Sequence, residues 1–140
     1  MQPRRKPPRS TVLPEPAVPP SAIGAAGLKA FFAIADEWGL SNEQMMALLG
    51  NPSRSRFYAM KRADPVNLSE DELDRLSYVA NIYAALNILY KPRNALLWLS
   101  NDRSADSLWR GRSPLQHLAS GKMESLIDVS RYLNGLRGAS

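Results

Sequence analysis

The sequence predicts an all-α protein, with an N-terminal helix-turn-helix bundle joined by a long two-sided helix to a small helical C-terminal domain. Three observations carry this expectation. Apolar residues recur three and four positions apart, as in Leu28, Phe31, Phe32, Ala35 and Trp38, the spacing of one helix face. Ser41, Ser69 and Ser113 are each followed three residues later by Gln or Glu, the capping box that starts a helix. No stretch alternates apolar and polar residues as a half-buried strand would.

Each element follows from such signals. The first helix ends at Gly39. Ser41 with Gln44 caps a second, Asn42 to Leu49, with Leu40 and Met45 as its hydrophobic staple and Gly50 as its stop. Asn51-Pro52 makes a turn, and Ser53 caps a third helix from Arg54 to about Arg62. Two short helices across a Gly-containing turn are the helix-turn-helix pattern.

Ser69 with Glu72 caps a fourth helix running to about Tyr90, where Lys91-Pro92 ends it; Leu68 and Leu73 form its staple. Its first-turn acids Glu70, Asp71 and Glu72 read as a cap at the positive end of the helix dipole, not as a catalytic pair. One of its faces carries Leu73, Leu76, Ala80, Tyr83 and Asn87, another Val79, Ile82, Leu86 and Leu89, so the helix must be covered on two sides. A short helix follows over Asn94 to Ser100, then a polar loop to Ser107. Ser113, with Gln116 and with Pro114 at the first helical position, opens a sixth helix that Gly121 ends. Met123, Leu126, Ile127, Ser130 and Leu133 mark a last one to about Gly135.

Composition narrows the function. The first 26 residues form a basic, proline-rich tail that cannot bury enough apolar surface to order itself. The first twenty also supply +3 of the net charge of +5, so the folded part is only weakly basic, and the placement of its bases decides what they do. With no cysteine, disulfides, zinc–thiolate sites and thiol nucleophiles are excluded, which fits a cytoplasmic location. The basic start precedes prolines instead of an apolar signal core, and no apolar run reaches membrane-spanning length. His117 is the one histidine, expected to pack beside Leu118; Ser113 has no other base, so no enzyme and no cofactor or metal are expected.

The third helix, with Phe57 and Met60 packing inward, offers Ser55, Arg56, Tyr58, Ala59 and Arg62 on its other side. Arginine can fork onto guanine O6 and N7 in a major groove, serine and tyrosine reach bases or phosphates, and terminal cations neutralise phosphates. The candidate DNA contacts are therefore Ser53, Arg54, Ser55, Arg56, Tyr58, Lys61 and Arg62. The start of the sixth helix, flanked by Arg110 and Arg112, could hold an anion, but the simpler expectation is that Ser113 satisfies its N–H groups and the arginines are solvated.

With those segments laid out, the chain from about residue 27 to 138 resembles Xre-type antitoxins that carry the MbcA/ParS/Xre-like toxin-binding domain and are encoded beside RES-domain toxins. The resemblance rests on LSNEQMMALLGNPSRSRFYAMKR and LSEDELDRLSYVANIYAALNILY, then on ALLWLSN, Leu108-Trp109 and GRSPLQHLASGKMESLIDVSRYL. It implies a helix-turn-helix domain over 27–90 that binds operator DNA, and a toxin-binding domain over 91–140 that blocks the active site of an NAD-depleting RES toxin. It further implies a homodimer within a toxin–antitoxin hetero-oligomer. Toxin contacts carried over by position are Gly111, Arg112, Ser113, Pro114, Leu115, Tyr132, Leu133 and Arg137, with Arg137 a candidate plug for a pocket built for an anionic cofactor. The alternative is a DNA-binding repressor or partition-type protein whose C-terminal half only dimerises.

Overall fold

The structure, a computed structural model, describes residues 20–101 and 109–138. These residues form seven helices and no strand: α1 Pro20–Trp38, α2 Asn42–Leu48, α3 Arg54–Lys61, α4 Glu70–Leu89, α5 Pro92–Ser100, α6 Pro114–Leu118 and α7 Met123–Leu136. Two starts differ from expectation. Helix α1 begins at Pro20, so residues 20–26 belong to it and not to the tail, proline being tolerated in the first turn where its missing N–H bonds nothing. For the same reason α5 begins at Pro92, two residues before Asn94. The tail up to residue 19 and most of the polar loop after Asn101 lie outside the described residues.

The three serine boxes close as expected. The hydroxyls of Ser41, Ser69 and Ser113 accept from the N–H groups of Gln44, Glu72 and Gln116, whose side chains accept from the serine N–H groups in return. Helix α1 ends at Gly39, whose φ of 68° lets the chain turn so that the Leu40 N–H reaches the Ala35 carbonyl at 3.0 Å.

Helix α4 is the spine. On one side it packs against α1, where Leu76 lies beneath Gly27, Trp38 meets the ring of Tyr83, and the Tyr83 hydroxyl donates to Glu37. On another side it packs against α7, where Asn81 donates to the Ser130 hydroxyl. Leu76, on the first side, is buried, and Val79, Ile82 and Leu86 are almost wholly so; Ala80 and Asn87 are exposed, and Leu73 is 39% exposed over a shallow apolar groove against α1.

The two halves share one core. Phe57 and Met60 of α3, Ile82 and Leu86 of α4, Leu99 of α5, Leu118 of α6 and Leu126, Val129 and Leu133 of α7 belong to a single buried cluster. Burial of this kind contributes about 25 cal/mol per Å² of apolar surface removed from water, and here that gain is common property of both halves. The chain should therefore unfold in one transition by circular dichroism and by tryptophan fluorescence together. Leu133→Ala, at the fully buried centre of α7, should lower the unfolding free energy by about 2–5 kcal/mol and shift both signals equally. Two separated transitions would show that the halves fold independently.

Candidate functional site

The helix-turn-helix is α2, the turn Leu49–Ser53, and α3. The turn needs two consecutive residues in the left-handed region, Gly50 at φ 91° and Asn51 at φ 59°. A Cβ on Gly50 would lie 2.9 Å from Nε of Arg75, so any other residue would push the Arg75 side chain from its place as well as strain φ. Arg75 is buried on α4. Its Nε donates to Asp71 at 2.8 Å while a terminal nitrogen lies 3.4–3.5 Å from the Leu48 and Ala47 carbonyls at the end of α2. A cation at a helix C-terminus opposes the negative end of the dipole, so α4 clamps the turn electrostatically.

A second clamp sets the third helix. Arg56 lies against α4, not on the open side of α3: its guanidinium forks onto Glu72 at 2.6 and 3.0 Å and donates to the Asn67 carbonyl at 2.6 Å. The expectation that Arg56 faces outward to read a base is corrected by these bonds, which engage both Nε and Nη2. Hydrogen bonding from Arg56, ahead of the opposing effect of burial, holds the Glu72 carboxyl below the usual carboxylate range, and the same pairing pushes the Arg56 guanidinium up. Glu72 thus closes a helix cap and anchors α3 at once.

The remaining α3 candidates divide by role. Ser53 spends its hydroxyl accepting from the Arg56 N–H. Arg54 and Ser55 are exposed. Tyr58 is half-buried and its hydroxyl accepts from Asn42 Nδ2 at 3.1 Å, while Lys61 Nζ donates to Asn42 Oδ1 at 2.9 Å. Asn42, at the start of α2, therefore orders two side chains of α3, a role that sequence reading missed because it depends on how α2 crosses α3. Arg62 caps α3 and pairs with Asp64 at 2.8 Å, with 64% of its side chain in water.

The second region is the segment from Trp109 to Lys122 with α7. Arg110 and Gly111 are consecutive left-handed residues, φ 57° and 80°, which turn the chain into α6. Ser113 and Pro114 are buried, Ser113 by its cap, and Leu115 packs half-buried on the core. Leu133 is fully buried, so its side chain is core and not an available contact; it faces inward because Leu126, Val129 and Leu133 repeat at helical spacing. Tyr132 is half-buried, stacked on Trp98 at 6.2 Å and meeting Trp109 edge-on at 5.8 Å. Arg137 is exposed beyond α7, 3.3 Å from Asn134 Oδ1.

Arg112 is not solvated as expected. Its Nε donates to the Trp109 carbonyl at 3.2 Å and its Nη2 to Nδ1 of His117 at 2.8 Å. An arginine only donates, so Nδ1 must accept and Nε2–H must donate, which it does to Asp128 of α7 at 3.1 Å. The imidazole also stacks on Trp109 at 4.8 Å, so His117 bridges α6 to α7 instead of merely packing beside Leu118. Beside this chain of contacts runs a groove of about 670 Å³ whose rim carries Arg110, Lys122 and Arg131. Sequence reading had Arg110 and Arg112 as flanking bases but missed Lys122 and Arg131, which only the α6–α7 turn brings to the same rim.

Residues 20–81 match the model of the antitoxin Xre-like helix-turn-helix domain. The chain is also similar to the uncharacterized protein y4oB of Sinorhizobium fredii, 37% identical over 119 residues that cover 84% of this chain and 89% of that one. Residues 20–81 form an Xre-like helix-turn-helix domain, and over most of its length the chain belongs to one family with y4oB. The match to the Xre-like unit begins at residue 20, where α1 begins, and ends within α4. No helix among the described residues is long and apolar enough to cross a membrane.

The Glu72 clamp of the Xre-like unit has a measurable acid limb. Because its folded-state affinity for a proton is depressed, its stabilisation is complete above the ordinary glutamate range and is lost as pH falls through the folded value. Glu72→Gln should cost about 1–3 kcal/mol at neutral pH, since it removes a charge-assisted acceptor from Arg56, and should flatten the loss of stability below about pH 4.3. Denaturant titrations at neutral and acid pH check both parts.

Proposed function

We propose that this protein is an antitoxin that binds and neutralises a RES-domain, NAD-depleting toxin by occluding its active site, and that it represses its own operon by binding operator DNA. The single observation that carries the DNA-binding part is α3 of the Xre-like unit, locked inward through Phe57, Met60 and Arg56 and leaving Arg54, Ser55, Tyr58, Lys61 and Arg62 along its open side. A helix held so firmly loses little entropy when it enters a major groove. Arg54 and Ser55 at the exposed start of α3 are the base readers, Tyr58 reaches bases or phosphate, and Lys61 and Arg62 are phosphate contacts.

The toxin part is supported by the motif from Gly111 to Leu115 with Tyr132 and Arg137, in the order that Xre-type antitoxins show. In this reading Ser113, Pro114 and Leu133 build the surface, and Arg137, in water past α7, enters the toxin pocket. The homodimer is ascribed to Ile88, Leu96 and Leu97, which are large, apolar and 63%, 36% and 56% exposed around the junction of α4 and α5.

Co-expression with the RES-domain product of the adjacent gene should restore growth that the toxin alone arrests. Growth arrest unchanged by the full chain overturns the antitoxin reading and leaves a plain repressor. For DNA, a dimer neutralising about 6 to 10 phosphates should lose about 10³ to 10⁵ in operator affinity between 50 and 200 mM salt. Arg54→Ala should cost about 1–3 kcal/mol and relax sequence preference, whereas Lys61→Ala should lower the salt slope by about one at unchanged preference. Gel-shift titrations at several salt concentrations separate these outcomes, and salt-independent binding overturns the operator reading.

A further inference from the structure

We propose that the groove between the Trp109–Lys122 segment and α7 is the socket for an acidic segment of the protein that this antitoxin neutralises. The proposal deepens the toxin-binding reading above and rests on it; it names the surface and the charge of what enters.

The chemistry of the groove is lopsided. Arg110, Arg112, Lys122 and Arg131 line it, against the carboxylates of Glu124 and Asp128. Asp128 is already engaged, accepting from His117. Arg112 is held in place by the Trp109 carbonyl and His117, neither of which carries negative charge to balance it. Arg110, Lys122 and Arg131 are exposed and, among the described residues, form no ion pair. The side-chain N–H groups of these three cations meet no acceptor among the described residues, so donors are in surplus as well. What such a wall lacks is negative charge and acceptor oxygens.

Carboxylates supply both, and the guanidinium fork matches their planar geometry. A polyphosphate backbone fits less well, because Glu124 and Asp128 sit on the same wall and would oppose a continuous line of negative charge. Discrete carboxylates of a protein segment can be placed between them. The socket is also pre-organised: the Trp109–His117 stack and the Arg112–His117–Asp128 bonds fix the wall before a partner arrives, so binding does not have to order it.

The test uses the full chain, the purified RES-domain product of the adjacent gene, and operator DNA. Wild-type affinity for the RES protein should fall as salt rises. Arg110→Glu with Arg131→Glu should weaken that affinity by about 100-fold and reduce its salt dependence, while operator affinity stays within about twofold. Arg93→Glu, exposed on α5 and not among the residues that line the groove, should leave both unchanged. The neutral pair Arg110→Gln with Arg131→Gln, which adds no repulsion that could disturb the fold, should give an intermediate loss at an unchanged melting temperature. Unchanged RES affinity in both pairs, with wild-type binding intact, overturns the socket and leaves the antitoxin reading standing. A loss of operator affinity in place of RES affinity overturns it too and assigns the groove to phosphate. If the wild-type chain binds operator but not the RES protein, the toxin reading fails and the socket fails with it.

Discussion

The first turn of α4 holds the helix-turn-helix together. Glu72 closes the helix cap on Ser69, then extends to Arg56 of α3, and Asp71 holds Arg75 against the last carbonyls of α2. Both short helices of the helix-turn-helix are therefore referenced to one rigid neighbour. That matters because helices of seven and eight residues have almost no stability of their own, nucleation being costly and propagation brief. Tertiary anchoring must replace what length does not provide, and charged side chains serve at the edges where Phe57 and Met60 already fill the centre. A salt bridge wholly in water would contribute little, but Glu72 is buried and its partner is forked onto it, the geometry in which such pairs count most.

The same anchoring explains where the sequence could and could not be read. Periodicity and capping boxes depend on residues within four of one another, so the presence of seven helices, the four serine caps and the inward set of Phe57, Met60, Val79, Ile82 and Leu86 were legible. The starts of α1 and α5, and the burial of Leu133 against its reading as a contact, were not. Neither was Arg56. On a wheel of α3 it lies about 40° from Met60, on the flank of the buried face, and grouping it with the open side overlooked that edge, which the crossing of α4, sixteen residues on, makes an interface. The first-turn acids were legible as a cap and not as an anchor for the same reason: a cap is local, whereas the partner of Glu72 lies on another helix. Arg112 misled for another reason: its partner His117 lies five residues on across the start of α6, a local contact that the capping pattern alone does not disclose.

The C-terminal motif changes meaning once it is seen folded. Ser113-Pro114 and Leu118 are spent on building α6 and burying it, and Leu133 is spent on the core, so the most recognisable residues of the motif are the least free to touch a partner. What they accomplish is placement. By folding α6 against α7 they bring Arg110, Arg112, Lys122 and Arg131, spread over some twenty residues of sequence, onto one wall. A motif recognisable in sequence can thus shape a surface while lining little of it, because Ser113, Pro114, Leu118 and Leu133 set backbone direction and burial while the cations stand on the rim.

The two halves also meet directly at their turns. Gly121, at φ 84°, packs so closely on the α2–α3 turn that a Cβ there would come within 2.8 Å of Asn51 Nδ2 and 3.7 Å of the Ala47 carbonyl. On its other side that turn is held by Arg75. The orientation of α3 is therefore bounded by α4 from one direction and by the α6–α7 turn from the other, and Lys122, on the rim of the charged groove, is the very next residue after Gly121. A packed interior does not deform smoothly. Any rearrangement of the groove wall that shifts Gly121 must either displace Asn51 or open the contact, and in both cases the support beneath the first turn of α3 changes. The geometry that brings the charged groove and α3 into one core also makes it physically difficult for one to move without the other.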